Sequence, residues 1–200
     1  VIAEVKKASP SKGVIVDRFD PLAIAKQYEQ AGVDAISVLT DRVHFQGDPD
    51  YLPFIKQHVR RPLLRKDFII DRRQIEASKR LGADAILLIA RILSPLQLKE
   101  FYFEAKELGL DCVVECHTQE EIEAVLNQFT PKIIGTNNRD LHSFTTSLTT
   151  TENLRPLVPD SVFTVSESGI ETRNDVVKLE RMKVDGMLIG EAFMRADDMS

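Results

Sequence analysis

Eight short apolar runs, spaced along the chain and separated by helical patterns, limit what this sequence can fold into more than any other feature of it. They are Val1 to Val5, Ala35 to Leu39, Pro62 to Leu64, Ala85 to Ala90, Cys112 to Cys116, Lys132 to Gly135, Ser161 to Val165 and Gly186 to Ile189. Between most of them, apolar residues recur at three- and four-residue spacing, as in Pro21 to Glu29, the signature of an amphipathic helix. Several helical stretches stop at a glycine with an aspartate two residues on: Gly32 and Asp34, Gly82 and Asp84, Gly109 and Asp111. Glycine suits the left-handed residue that ends a helix before a short αβ loop. Eight βα units with no break in composition predict an α/β fold, a parallel (β/α)8 TIM barrel formed by residues 1–200 as a single domain. Such a barrel needs about 200 to 250 residues, so this chain of 200 leaves no room for a large second domain. An open doubly wound sheet is the alternative. Its dinucleotide-binding form would place Gly-x-Gly-x-x-Gly after the first strand, where this chain reads Lys7-Ala8-Ser9-Pro10-Ser11-Lys12-Gly13.

Charge and composition narrow the functional classes. Lys and Arg total 26 against 31 Asp and Glu, a net charge of −5, so a surface that tracks nucleic-acid phosphates is not expected. A basic pocket for a small anion remains compatible with an acidic protein. The two cysteines, Cys112 and Cys116, lie four apart in an apolar run and make no disulfide framework, which fits a reduced, cytoplasmic protein. No run approaches the roughly 20 apolar residues of a membrane span. The chain begins at Val1, already inside the first apolar run, and a segment upstream of it is expected.

In a parallel barrel the strands are buried on both faces, so an ionisable residue at a strand's carboxyl end is costly unless paired or used. Glu4 and Lys6 share a face of the first strand; Arg65-Lys66-Asp67, Glu115, Asn137-Asn138-Arg139 and Glu167-Ser168-Gly169 end four others. Any one alone would read as a solvated salt bridge. Together they converge on one barrel mouth, where active sites of this fold lie. Alternation through Cys112-Val113-Val114-Glu115-Cys116 puts both cysteines on the helix-facing side and Glu115 with Val113 on the other. Ser168-Gly169 and Gly190-Glu191 follow the seventh and eighth strands, whose loops commonly bind phosphate through backbone N–H groups. The stretch Arg60-Arg61, Arg65 and Arg72-Arg73 reads as a solvated face, and His44, His58, His117 and His142 show no metal spacing. The long loop from Asp41 to Asp50 carries Phe45, suited to touching a substrate.

The segment Ile2 to Gly13, reading IAEVKKASPSKG, resembles the signature of indole-3-glycerol phosphate synthase, a barrel enzyme of tryptophan biosynthesis. Phe45-Gln46-Gly47, Pro62 to Ile69, Val114 to His117, Gly135 to Leu141, Ser166 to Ile170 and Leu188 to Ala192 resemble further motifs of that family, in the same order. The resemblance implies a carboxy-lyase that closes the ring of 1-(2-carboxyphenylamino)-1-deoxyribulose 5-phosphate, losing carbon dioxide and water, with no cofactor and no metal. It implies Lys66 as the acid at the ribulose carbonyl, Glu115 as the second proton-transfer group and Glu4 as an auxiliary carboxylate. Lys6 and Ser9 would hold the anthranilate carboxylate, Asn137, Arg139 and Glu167 would position substrate, and Phe45 and Phe68 would pack on its ring. Phosphate would rest on the Ser168, Gly169, Gly190 and Glu191 amides. The expected partner is a small phosphorylated substrate, with no nucleic acid and no membrane, and with association or fusion to another tryptophan-pathway enzyme. Two departures stand out: family members carry an N-terminal lid segment ahead of the first strand, and only ten residues follow Gly190, too few for a normal final helix. A phosphoribosyl-compound isomerase of the same fold, or a non-catalytic phosphate-binding barrel, are the competing readings.

Overall fold

The structure, a computed structural model, describes residues 1–16, 18–140 and 145–195; Leu141 and His142, singled out above, lie outside them. Eight parallel strands close on themselves: β1 (Ile2–Val5), β2 (Ala35–Leu39), β3 (Leu63–Lys66), β4 (Ala85–Ile89), β5 (Asp111–Cys116), β6 (Ile133–Asn137), β7 (Phe163–Glu167) and β8 (Gly186–Ile189). Each strand pairs with its neighbours in sequence, and β8 closes on β1 through Ile2 opposite Leu188 and Ala3 opposite Ile189. Helices follow the strands in turn: α1 (Pro21–Gln30), α2 (Tyr51–Lys56), α3 (Arg72–Arg80), α4 (Pro95–Glu107), α5 (Gln119–Leu126), α6 (Thr149–Leu154), α7 (Arg173–Arg181) and the four-residue α8 (Glu191–Met194). A short antiparallel ribbon, Ala8–Ser9 with Gly13–Val14, rises between β1 and α1.

Local chemistry sets where the helices begin and end. Asp20, Asp71, Ser94, Thr118 and Thr172 cap α1, α3, α4, α5 and α7 with side-chain oxygens that accept otherwise unpaired N–H groups. Gly32, Gly82 and Gly109 end their helices at φ of 81°, 88° and 69°. Two aspartates of the αβ loops staple the amino ends of neighbouring strands. The Asp84 carboxylate accepts from the Leu63 amide at 2.8 Å, and Asp185 does the same for Thr164 at 2.8 Å.

Strand alternation divides the core into two shells. Ala3, Val5, Ile36, Val38, Leu63, Ile86, Cys112, Val114, Cys116 and Ile134 point outward to the helices, while Leu64, Leu87, Ile89, Val113, Val165 and Leu188 fill the barrel. Both cysteines are helix-facing and buried, and Glu115 lies on the inner side with Val113, as alternation predicts. Two details differ from the sequence reading. β3, β6 and β7 run beyond their apolar residues, through Lys66, Asn137 and Glu167, because the backbone ladder continues while the side chains turn polar at the mouth. Arg65 is not part of a solvated face. One residue before inward-facing Lys66, it points out beneath α3, only 5% exposed, and its guanidinium donates to Thr40 Oγ1, Ser78 Oγ, the Gln74 carbonyl and Asp67 Oδ2.

Candidate active site

The carboxyl ends of the strands open onto a cavity of about 690 Å³, within the size range of small-molecule sites. Of the residues singled out from sequence, Glu4, Lys6, Ser9, Phe45, Lys66, Phe68, Glu115, Asn137, Arg139, Ser168, Gly169, Gly190 and Glu191 all line it. Glu167 does not. It is fully buried behind the wall, and its Oε2 accepts a hydrogen bond from Lys66 Nζ at 3.0 Å.

Lys66 is the hub of the charged floor. Its ammonium lies 3.0 Å from Glu167 and 3.4 Å from Glu4 Oε1, while Glu4 Oε2 sits 3.3 Å from Lys6 Nζ. Two glycines make this geometry available. A Cβ on Gly135 would overlap Glu167 Oε1, and one on Gly190 would press on Glu4 Oε2 at 3.1 Å and Lys6 Nζ at 3.2 Å.

Electrostatics separates these groups. Burial works against the Lys66 ammonium, but Glu167, Glu4 and Glu115 outweigh it and hold the group protonated well above the ordinary lysine range. Burial likewise opposes a charged Glu4, yet Lys6 and Lys66 bring its pKa below the ordinary value. Glu115 has the reverse balance. Burial and the neighbouring Glu167 push its pKa up to about 7, against partial relief from Lys66, His117 and the Asn137 amide. One floor thus holds a resting ammonium, an ionised carboxylate and a carboxyl poised near neutrality, the pattern that separates acid and base roles.

The walls divide the cavity by chemistry. Phe45 and Phe68 stand with ring centroids 6.3 Å apart, and the His44 ring meets Phe68 edge-on at 5.6 Å. Leu87, Ile89 and Leu188 add apolar surface deeper in. Opposite, Ser168 and Gly169 follow β7 in consecutive left-handed conformations, φ 69° and 71°. Left-handed backbone is strained for a serine, so the surroundings must impose it. Asn138 does so. Its Nδ2 donates to the Ser168 carbonyl at 3.0 Å and to Ser166 Oγ at 2.9 Å, while its Oδ1 accepts from the backbone N and hydroxyl of Thr151 on α6. Arg139 donates to Ser11 Oγ at 3.0 Å and lies 3.9 Å from Glu191, which Lys12 also approaches at 3.7 Å. Ser9 is buried at the ribbon beside them.

Sequence reasoning assigned no role to Asn138 or His117. Asn138 is the residue after Asn137, and alternation turns it outward under α6, a position legible in the strand pattern. His117 lies two residues beyond Glu115, the spacing that also puts Glu4 and Lys6 on one face, and its Nε2 comes within 3.3 Å of Glu115 Oε1. Among the described residues, no group of three or more His, Cys, Asp or Glu side chains is arranged to hold a metal ion, and no helix is long and apolar enough to cross a membrane.

In overall shape the barrel is similar to 3-hexulose-6-phosphate synthase from Salmonella typhimurium, with a TM-score of 0.78 at 13% identity over 99% of this chain and 92% of that one. It is also similar to a chain of the tryptophan synthase complex from Pyrococcus furiosus, with a TM-score of 0.69 at 15% identity over 98% of this chain and 88% of that one. At such identities the likeness establishes the fold alone. Sequence similarity is much closer to another group. The indole-3-glycerol phosphate synthase of Geobacillus kaustophilus is 58% identical over 199 residues, covering 100% of this chain and 77% of the relative. That of Priestia megaterium is 54% identical over 200 residues, 100% of this chain and 78% of the relative. The model of the indole-3-glycerol phosphate synthase family matches residues 1–200. With its closed barrel and its charged mouth, and with relatives more than half identical over the whole of this chain, the chain belongs to the indole-3-glycerol phosphate synthases, carboxy-lyases of tryptophan biosynthesis.

Proposed function

We propose that Lys66 and Glu115 divide the proton transfers of indole-3-glycerol phosphate formation between them, on a substrate held at both ends by the cavity walls. Lys6 and Ser9 receive the anthranilate carboxylate, Phe45 and Phe68 pack on the aryl ring, and Asn137 and Arg139 orient the ribulose chain. The phosphate rests on the backbone amides of Ser168, Gly169, Gly190 and Glu191. Fixing the aryl carbon over the carbonyl removes much of the entropic cost of ring closure.

The ring carbon that bears the carboxylate attacks the ribulose carbonyl carbon. The π pair moves to oxygen, where the Lys66 ammonium first stabilises the developing charge and then gives up a proton to the alkoxide. Carbon dioxide departs and leaves its bonding pair to restore the aromatic ring. Glu115, in its acid form, then protonates the hydroxyl, which leaves as water, while the adjacent methylene loses a proton to ionised Glu4. Glu4 lies 3.4 Å from Lys66 and returns that proton to it. Two protons are donated and one is recovered, so each turnover draws one proton from solvent, and Glu115 is the group left in need of it.

The observation that carries this reading is the pairing of a carboxylate-held ammonium with a buried carboxyl whose pKa is pushed up to about 7 at the same mouth. Lys66→Met tests it. Turnover followed by indole fluorescence should be abolished, while a substrate-binding titration stays close to wild type, because the lost group acts mainly on charge absent from the ground state. Near-normal turnover would remove Lys66 from the chemistry. A cytoplasmic location, and association with another enzyme of the pathway, belong to the same proposal and rest on the buried free thiols and on the family's biosynthetic role.

A further inference from the structure

The proton balance leaves Glu115 needing one solvent proton per turnover, yet Glu115 is only 4% exposed. A side-chain chain leads away from it toward the surface. His117 Nε2 is buried, lacks a hydrogen-bond partner among the described residues, and lies 3.3 Å from Glu115 Oε1. On the other edge of the same imidazole, Nδ1 lies 3.3 Å from Glu121 Oε2, and that oxygen also accepts from the His117 backbone amide at 2.6 Å. The second oxygen of Glu121 accepts from Arg91 Nε at 3.1 Å. Exposure rises along this line: the His117 side chain is 5% exposed, Glu121 15% and Arg91 33%.

We propose that His117, anchored by Glu121, is a positioning residue that relays the net proton of each turnover to Glu115. In the transfer, the N–H bond at Nε2 breaks as an O–H bond forms on the Glu115 carboxylate, and imidazolium becomes imidazole. The neutral ring keeps its proton on Nδ1 and is bare at Nε2, so it turns about its Cβ–Cγ bond to take a solvent proton at Nε2, which restores the imidazolium. The surrounding charges suit this. Burial disfavours the imidazolium, but the hydrogen bond to Glu121 and the charges of Glu115 and Glu121 outweigh both burial and Arg91, and the His117 pKa is raised. Across the barrel, Lys66, Glu167 and the Asn137 amide are the other groups acting on Glu115. Glu121 sits in the first turn of α5, so the fold places a carboxylate where a strand-end histidine can reach it.

The inference rests on the assignment of Glu115 as proton donor, and the experiment separates the two. His117→Asn removes the relay and leaves Glu115 able to start with its own proton. The first turnover, measured by rapid mixing with enzyme in excess, should run near the wild-type rate, while later turnovers slow by about tenfold or more, giving a burst of one product per site. Losing the imidazolium also withdraws a charge that favours ionised Glu115, so the alkaline limb of kcat/KM should move to higher pH. A purely structural role would slow first and later turnovers alike. Glu121→Gln should give the same split in milder form, and it serves if His117→Asn melts early. Equal effects on first and later turnovers, or an unmoved alkaline limb, overturn the relay. If Glu115→Gln itself dehydrates at the wild-type rate, the Glu115 assignment falls and the relay with it; a slow Glu115→Gln beside His117 variants without a burst refutes the relay alone.

Discussion

Replacing Glu115 by Gln should make the protein both far slower and more stable, and the size of the second effect follows from the site. Three buried carboxylates, Glu4, Glu115 and Glu167, face two lysines, and the ion pairs within the described residues join Lys66 to Glu167 and Glu4 and Lys6 to Glu4. Glu115 is the carboxylate that neither lysine claims. Its ordinary pKa of 4.5 describes the unfolded chain, and folding pushes it up to about 7. Because the folded-state value is the higher one, the stability linked to this group is intact below about pH 4.5, drains away as pH rises, and is lost above about pH 7. At about 1.4 kcal/mol per tenfold, that loss amounts to roughly 3 kcal/mol. Glutamine is nearly isosteric and carries no charge to bury. The variant should therefore match wild type near pH 4.5 and exceed it by roughly 3 kcal/mol at pH 8, or on the order of 6 to 12 °C in Tm for a domain of this size. Dehydration should slow by roughly 10² to 10⁴, with the ring-closed intermediate accumulating, as single-turnover measurements of carbon dioxide release and indole appearance would show. Were the contact between Glu115 and the His117 imidazolium instead a structural ion pair that outweighs burial, removing the Glu115 charge would cost about 3 to 5 kcal/mol. A variant less stable than wild type at pH 8, or one with both chemical steps unchanged, refutes the reasoning.

Two other substitutions probe the walls and the support of the floor. Ser168→Asp introduces a residue type that tolerates the left-handed backbone at φ 69° and adds a carboxylate where the phosphate is proposed to sit; titrations should show substrate and inorganic phosphate both bound about tenfold or more weakly, and unchanged affinity for both would move the phosphate elsewhere. Gly135→Ala drives a methyl group into Glu167 and brings it to 3.1 Å from Val113, so Glu167 must withdraw from Lys66; kcat should drop by about 10² or more and stability by about 1 to 3 kcal/mol, and a normal kcat would show that Glu167 does not hold Lys66 in place.

Much of this molecule is written locally. The period-two alternation that sends Cys112 outward and Glu115 inward, the glycines that end α1, α3 and α4, and the polar residues that finish five strands can all be read along the chain, because each depends on neighbours a few residues away. Closure of eight such units carries those strand ends to one mouth, so Glu4, Lys6, Lys66, Glu115, Asn137 and Ser168 come to line one cavity. What the sequence leaves open depends on distance through space. Arg65 looks like one more surface cation until the register turns it beneath α3. Glu167 stands with the mouth residues in sequence, but sits behind the wall, against a residue 101 positions away, because Gly135 leaves space for its carboxylate. His117 resembles any other lone histidine until β5 and α5 bring Glu115 and Glu121 to its two nitrogens. The tertiary structure alone decides which carboxyl stays protonated near neutrality, since that depends on how much water each group has lost and which charges remain beside it, and neither is a property of the chain taken one residue at a time.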